Sequence, residues 1–380
     1  MAENHLQRLH RAGQSIWLDY IERTMLRNGE LARRIRDDAL TGMTSNPTIF
    51  EKALAEGTAY DDQIRSADGS FTAMELFELI STTDVRDACD AFRGVYDSTN
   101  GADGYVSIEV SPSAANDARA TISEAQRLWA TVDRPNLFVK VPGTVEGATA
   151  VRQLIASGIN INITLLFSLD AYRRVIDAYM AGLEDRVGAG KQIAALHSVA
   201  SFFVSRVDTE TDKRLEELAT RVPEQAEAAR ALLGKAAIAN AKLAYRLFQQ
   251  EIASSRWKSI ESRGGTRQRP LWASTSTKNP VYRDVMYVER LIGPDTVNTM
   301  PPQTIEAFRD HGDVRRTVDA ELDVAERELG DLERLGISLD DVTAKLLVDG
   351  IASFQKSYDT LLAGLQKKTK ALGRELVASR

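Results

Sequence analysis

Lys140 stands near the end of an apolar run, Asn136 to Gly143 (NLFVKVPG), that closes on Pro-Gly. Such a run reads as a buried strand entering a loop, with Phe138 and Lys140 on one face and Leu137, Val139 and Val141 on the other. A lone lysine there ordinarily buries its stem and lifts its ammonium to water. The competing reading is a desolvated amine, able to act as nucleophile or base. Neighbouring strands favour the second. SIWLDY puts Asp19 opposite Leu18, and GYVSIEVS sets Tyr105, Ser107 and Glu109 against Val106, Ile108 and Val110. ININITLL groups Asn160, Asn162 and Thr164 opposite Ile159, Ile161, Ile163 and Leu165.

Taken singly, a strand-end Asp or Glu caps a helix or pairs on the surface, and an Asn satisfies a turn. Four strands each sending polar groups to one side are harder to explain so. An unpaired buried charge costs several kcal/mol, about as much as the whole stability margin of a domain. Two carboxylates beside a lysine suit amine catalysis. The neutral amine attacks a ketone and forms an imine that acts as an electron sink. One carboxylate can move protons for carbinolamine formation while the other deprotonates a hydroxyl and breaks a carbon–carbon bond. Burial lowers a lysine pKa and adjacent carboxylates raise it, and the residue pattern leaves that balance open. Arg206 follows strand six, and Ser274, Thr275, Ser276, Thr277 and Lys278 follow strand seven. A hydroxyl-rich loop ending in lysine, with a fork-shaped guanidinium nearby, suits a phosphate monoester, although Ser/Thr runs also serve plain turns and caps.

The elements that must position these groups alternate between strand and helix. Strands are expected at 15–20, 40–47, 104–112, 136–143, 161–167, 197–208, 267–280 and 296–302. Helices are expected at 3–12, 22–38, through most of 48–100, and at 113–132 with Ser113 as cap. Two more follow Thr144 and Ser168, with Gly158 stopping the first. A helical insertion spans about 209–262 and reads as a solvated hairpin packed on the rest. Helices also fill about 302–376. This order implies parallel pairing through right-handed crossovers. Eight such strands fit a closed (β/α)8 TIM barrel of the α/β class, with extra N- and C-terminal helices and the insertion between strands 6 and 7. Nothing marks a domain boundary, so residues 1–380 are expected to form a single domain. The inward polar residues then cluster at the C-terminal strand ends, where barrel active sites lie.

Composition narrows the function. The chain has 380 residues, 43% of them hydrophobic and 27% charged, enough apolar content for a large core. A net charge of −6 without a basic, aromatic-interleaved stripe argues against nucleic acid. No strand leads into a Gly-rich dinucleotide fingerprint. The four histidines show no two-ligand spacing, so neither a metal nor another cofactor is expected. MAENHLQRLHRAGQ lacks the apolar segment of a signal peptide, and no run is long enough to span a membrane. The single cysteine, Cys89, excludes an internal disulfide and points to the cytoplasm; it reads as a packed thiol.

The segments SIWLDYI, TGMTSNPTIFEKA, YVSIEV, NLFVKVPGTVEG, INITLLFS, SFFVSRVD, STSTKNP and LIGPDTVNTMPPQT resemble the transaldolases. They run in family order from about residue 15 to 305, and the length resembles the longer bacterial branch. The resemblance implies a transferase of the pentose phosphate pathway, working through a lysine Schiff base without metal. It would move a dihydroxyacetone unit between sedoheptulose 7-phosphate/glyceraldehyde 3-phosphate and erythrose 4-phosphate/fructose 6-phosphate. By the same matching, Lys140 forms the imine, Asp19 is the acid/base for carbon–carbon cleavage, and Glu109 and Thr164 position the water. Asn46 and Asn162 would hold the dihydroxyacetone moiety with Ser201 beside it; Arg206, Ser276 and Lys278 would hold the phosphate. One departure is plain: the shorter branch has arginine where Lys278 falls, so a fork is replaced by a point charge. Two other readings stand beside this one. A sibling aldolase would release free dihydroxyacetone, and Glu109 argues against it. A silent sugar-phosphate-binding barrel would use the insertion as a partner surface. Monomer and homodimer remain equally open.

Overall fold

Eight short runs, each buried on both faces, form β1 (Gln14–Asp19), β2 (Leu40–Thr44), β3 (Tyr105–Glu109), β4 (Leu137–Pro142), β5 (Ile161–Leu166), β6 (Ser198–Phe203), β7 (Gln268–Ala273) and β8 (Thr296–Met300). The computed structural model describes residues 3–377 except 56, 68 and 70. The strands pair in parallel in sequence order, and β1 pairs β8 to close the barrel. The expected closed (β/α)8 architecture is therefore present. Among the described residues no helix is long and apolar enough to cross a membrane.

The lower half of the barrel is filled by rings. Tyr105 and Phe138 stack with centroids 4.2 Å apart, and Trp17 lies 5.9 Å from Phe138. Trp17 Nε1 donates to Asp103 at 2.9 Å, so its one polar atom is satisfied inside the core. The indole fits because its partner across β1–β2 is Gly42. A Cβ built on Gly42 would lie 2.5 Å from Trp17 Nε1. Gly42→Ala is therefore expected to overpack the barrel and cost about 1–3 kcal/mol. A urea midpoint equal to that of the parent would show that the ring cluster yields without strain.

Local signals place several helices. Thr144 caps Val145–Ser157 by accepting from Gly147 N, and Gly158 ends it at φ 98°. Ser168 caps Leu169–Gly188. The cap expected at Ser113 is displaced. Pro112–Ala114 is a single 3-10 turn, and Asp117 caps Ala118–Val132 through the Arg119 and Ala120 amides. An Asx cap outcompetes the earlier serine because its carboxylate also meets the positive end of the helix.

The strand expected through Asp208 stops at Phe203, and Ser205–Arg221 is already helical. The helical segment between strands six and seven thus starts at Ser205, and it is packed rather than solvated. Helix Ala236–Ala253 buries most of its length, with Asn240 donating to Phe167 O and Lys242 to Ala320 O. Its alanine-rich face lets it lie against the barrel while helix Leu322–Arg334 covers its outer side. Cys89 is buried within helix Ala73–Ser98, where burial pushes its thiol pKa up.

The long helix Leu339–Ala371 returns across the C-terminal end of the barrel. Thr48 donates to Ser357 at 2.9 Å, Tyr358 meets Phe77 edge-on, and Lys368 reaches the carbonyls of Leu54 and Gly57. These contacts fix it to helix Ala73–Ser98 and to helix Pro47–Ala55, which opens directly after Asn46. Proline at the first helical position sacrifices an amide that would have had no partner anyway.

Candidate active site

Strand register brings the candidate groups together. Glu109 pairs Lys140 across β3–β4, Lys140 pairs Asn162 across β4–β5, and Asp19 pairs Thr44 across β1–β2. All these side chains reach the C-terminal half of the barrel. Above them opens a cavity of about 460 Å³ whose walls include Asp19, Asn46, Lys140, Thr164, Ser201, Arg206, Ser276 and Lys278. Glu109 and Asn162, the other two residues expected from sequence, lie just beneath this surface.

Lys140 Nζ donates to Glu109 Oε2 at 3.0 Å and to Ser45 O at 3.1 Å. The two side chains are 6% and 5% exposed, so the pair is desolvated. Burial pushes the Glu109 carboxyl above its ordinary value, against the opposing pull of Lys140. Burial likewise raises Asp19, opposed first by Lys140 and then by a hydrogen bond from Thr44, 2.7 Å away. Thr299 and Thr44 hydroxyls also meet at 2.7 Å, which fixes the orientation of the carboxylate. Both acids thus bind protons more readily than free carboxylates do, which suits proton exchange near neutral pH. A buried ammonium within 3 Å of such an acid has an acceptor for the proton that it must lose before attack.

Thr164 carries a buried hydroxyl that has no hydrogen-bond partner among the described residues. It sits at an irregularity: the β5–β6 register shifts between Ile163 and Leu166, and Leu165 adopts φ 59°. The alternation expected to keep Leu165 outward therefore breaks. A bulge at a strand end re-aims side chains, and this one lies on the strand beside Lys140. Asn162 is fixed on both sides, donating to Ser107 Oγ at 3.1 Å and accepting from Ser201 Oγ at 2.7 Å. Asn46 Oδ1 accepts from Ile49 N at 3.0 Å and so caps the following helix, which leaves its amide nitrogen for a ligand. Asn160, grouped with Asn162 by alternation, stays at the opposite end and ties Pro135 O and Leu137 O to His197 N.

The far wall is cationic. Arg206 lies in the first turn of Ser205–Arg221, its guanidinium between Phe203 at 5.0 Å and Phe354 of the C-terminal helix at 5.8 Å. Burial lowers its pKa, opposed by Asp19 and Glu109, yet a guanidinium stays charged at neutral pH. Lys278 donates to Ser276 Oγ at 2.8 Å. Within the Ser/Thr run, Thr275 turns away to Asn298 at 2.8 Å and Ser274 joins Ser205 at 2.9 Å, so the two residues brace the loop. The loop is latched by Tyr282 to Asp212 at 2.6 Å and followed by Tyr287 to Asp208 at 2.9 Å, both acids on Ser205–Arg221. A second cavity of about 30 Å³ touches Glu109 from outside the barrel wall but has room only for about one water.

The transaldolase/fructose-6-phosphate aldolase family model matches residues 16–365. The chain belongs to that family. It is 46% identical over 377 residues to a transaldolase of Trichodesmium erythraeum, covering 98% of this chain and 99% of that protein. It is 49% identical over 359 residues to a transaldolase of Thermobifida fusca, covering 94% and 96% respectively. A Frankia alni transaldolase is 46% identical over 373 residues, 98% of each chain. The transaldolase-family match covers all eight strands apart from the first two residues of β1, together with most of the C-terminal helix.

Thr44, Phe354, Tyr282 and Asp212 escaped the sequence reading. Thr44 carried a usable signal, because it precedes Ser45-Asn46 at a strand end. Phe354 carried none. It meets Arg206 only because the C-terminal helix folds back over the barrel.

Proposed function

We propose that Lys140 forms a Schiff base with C2 of a ketose phosphate and that Asp19 drives carbon–carbon cleavage. The reaction is that of a transaldolase, a transferase of the pentose phosphate pathway. A dihydroxyacetone unit passes between sedoheptulose 7-phosphate/glyceraldehyde 3-phosphate and erythrose 4-phosphate/fructose 6-phosphate. The observation that carries the residue assignment is the desolvated Lys140–Glu109 contact at 3.0 Å with the Asp19 carboxyl in the same cavity.

The neutral amine of Lys140 adds to the ketone carbon, and the carbinolamine loses its hydroxyl as water. Glu109 takes and returns the protons of these steps, with Thr164 aligning the water. Asp19 then removes the C4 hydroxyl proton as the C3–C4 bond breaks. Its electron pair passes into the imine, giving an enamine and an aldose phosphate. Asn46, Asn162 and Ser201 hold the three-carbon unit while the aldehydes exchange. Arg206, Ser276 and Lys278 bind the phosphate, the guanidinium as a fork and the lysine as a point charge. The enamine adds to the incoming aldehyde, and the steps run in reverse.

Closure of β1 on β8 and the return of the C-terminal helix support one domain for the whole chain. The single buried cysteine supports action in the reducing cytoplasm. Borohydride reduction in the presence of fructose 6-phosphate is expected to leave a stable adduct on Lys140. Turnover of fructose 6-phosphate should require erythrose 4-phosphate. Turnover that proceeds equally well without acceptor would instead mark an aldolase releasing dihydroxyacetone.

A further inference from the structure

A third cation faces the cavity wall that carries Arg206 and Lys278. Lys52, in the last turn of helix Pro47–Ala55, contributes to the same lining. Among the described residues none of the three approaches a carboxylate within ion-pairing distance. Three such cations thus share one concave lining in a chain whose net charge is −6. Like charges converging on one concave wall repel one another, and an anionic ligand removes that cost.

The three cations lie at different depths. Arg206 is half-buried and close enough to Asp19 and Glu109 to feel both charges. Lys278 is exposed and interacts with Asp19 and Arg206. Lys52 is also exposed and acts on Lys278. Arg206 is therefore the innermost of the three, and both lysines lie nearer the rim. They also differ in freedom. Arg206 is held between two rings, whereas each lysine carries its ammonium on a flexible four-carbon stem.

We infer that Lys52 is a specificity-determining residue that extends the phosphate site outward, so that one cavity accepts aldose phosphates of different chain length. The inference rests on the functional reading above. A three-carbon aldehyde places its phosphate within reach of Arg206. One more carbon moves the phosphate toward the rim by roughly a bond length, about 1.5 Å. A fixed guanidinium cannot follow that shift, and the flexible lysines can.

Lys52 makes no contact with Lys140, Glu109 or Asp19, and Lys52→Gln keeps a good helix former at a solvent-facing site. The variant is expected to raise KM about five- to tenfold for sedoheptulose 7-phosphate and erythrose 4-phosphate. For fructose 6-phosphate and glyceraldehyde 3-phosphate the rise should be about twofold or less, with kcat changed less than twofold throughout. Lys52→Arg should restore the parent values, and unphosphorylated erythrose as acceptor should not distinguish parent from variant. Equal KM shifts for long and short phosphates, or none, would overturn the role of Lys52. So would an equal shift with unphosphorylated erythrose, which would trace the effect to the helix. A parent enzyme indifferent to the phosphate altogether would instead overturn the functional reading itself.

Discussion

Lys140→Met is expected to lower turnover by a factor on the order of 10⁴ or more, because a covalent nucleophile and every step built on it are removed together. Borohydride should then leave no adduct at any lysine. Persistent trapping elsewhere, with residual turnover, would reassign the nucleophile. Methionine matches the lysine stem in length, so the barrel should stay packed. It leaves Glu109 buried without the cation that stood 3.0 Å away. The carboxyl of Glu109, already raised by burial, must rise further. The folded state then holds a proton that the unfolded chain releases near its ordinary pKa of about 4.3. Stability contributed by that proton is full at low pH and is lost as pH climbs through the folded-state value. The thermal midpoint of the variant should therefore drop more between pH 5 and pH 8 than that of the parent. Circular dichroism melts at the two pH values measure this directly. Parallel melting curves would mean that Glu109 finds another partner.

Asp19→Asn should separate imine formation from bond cleavage. The amide keeps an oxygen for the Thr44 hydroxyl, so the side chain stays oriented. It cannot accept the C4 hydroxyl proton, and loss of a positioned general base costs about 10²–10⁴ in rate. Imine formation relies on Lys140 and Glu109 and should survive. Borohydride trapping with fructose 6-phosphate is thus expected to add an uncleaved six-carbon phosphate to Lys140. In the parent, where cleavage runs, a three-carbon adduct also appears. Equal three-carbon adduct in the variant would assign the base elsewhere. The parent also predicts a pH signature. Burial raises the Asp19 pKa, so the acid limb of kcat should lie above the ordinary carboxylate range of about 4. In the variant that limb should vanish.

Much of this was legible in the chain itself, because strand alternation and helix caps depend on residues only two to four positions apart. NLFVKVPG announced a buried strand with an inward lysine, and Thr144, Gly158 and Ser168 marked real helix ends. Parallel pairing of successive strands then brought Glu109, Lys140 and Asn162 side by side without any long-range information beyond strand order. Errors arose where two local signals competed. Ser113 was expected to cap the helix, and the Asp117 carboxylate, four residues on, does so instead. At Ser205 the chain turns helical inside the run that seemed to prolong β6.

The sequence by itself determined the barrel, and it singled out the lysine, the two carboxylates and the cations that the fold gathers around one cavity. Tertiary structure decided which groups share that wall and how firmly each is held. Phe354 clamps Arg206 from about 150 positions away, and Tyr282 latches the Lys278 loop to Asp212 across a separation of 70 residues. The irregularity at Leu165 breaks the alternation just after Thr164, and Lys52 joins Lys278 in the lining of one cavity. The physical reason is that periodicity records only which side of an element is apolar. Which cation meets which ring depends on barrel closure and on where a distant helix comes to rest, and no local pattern encodes either.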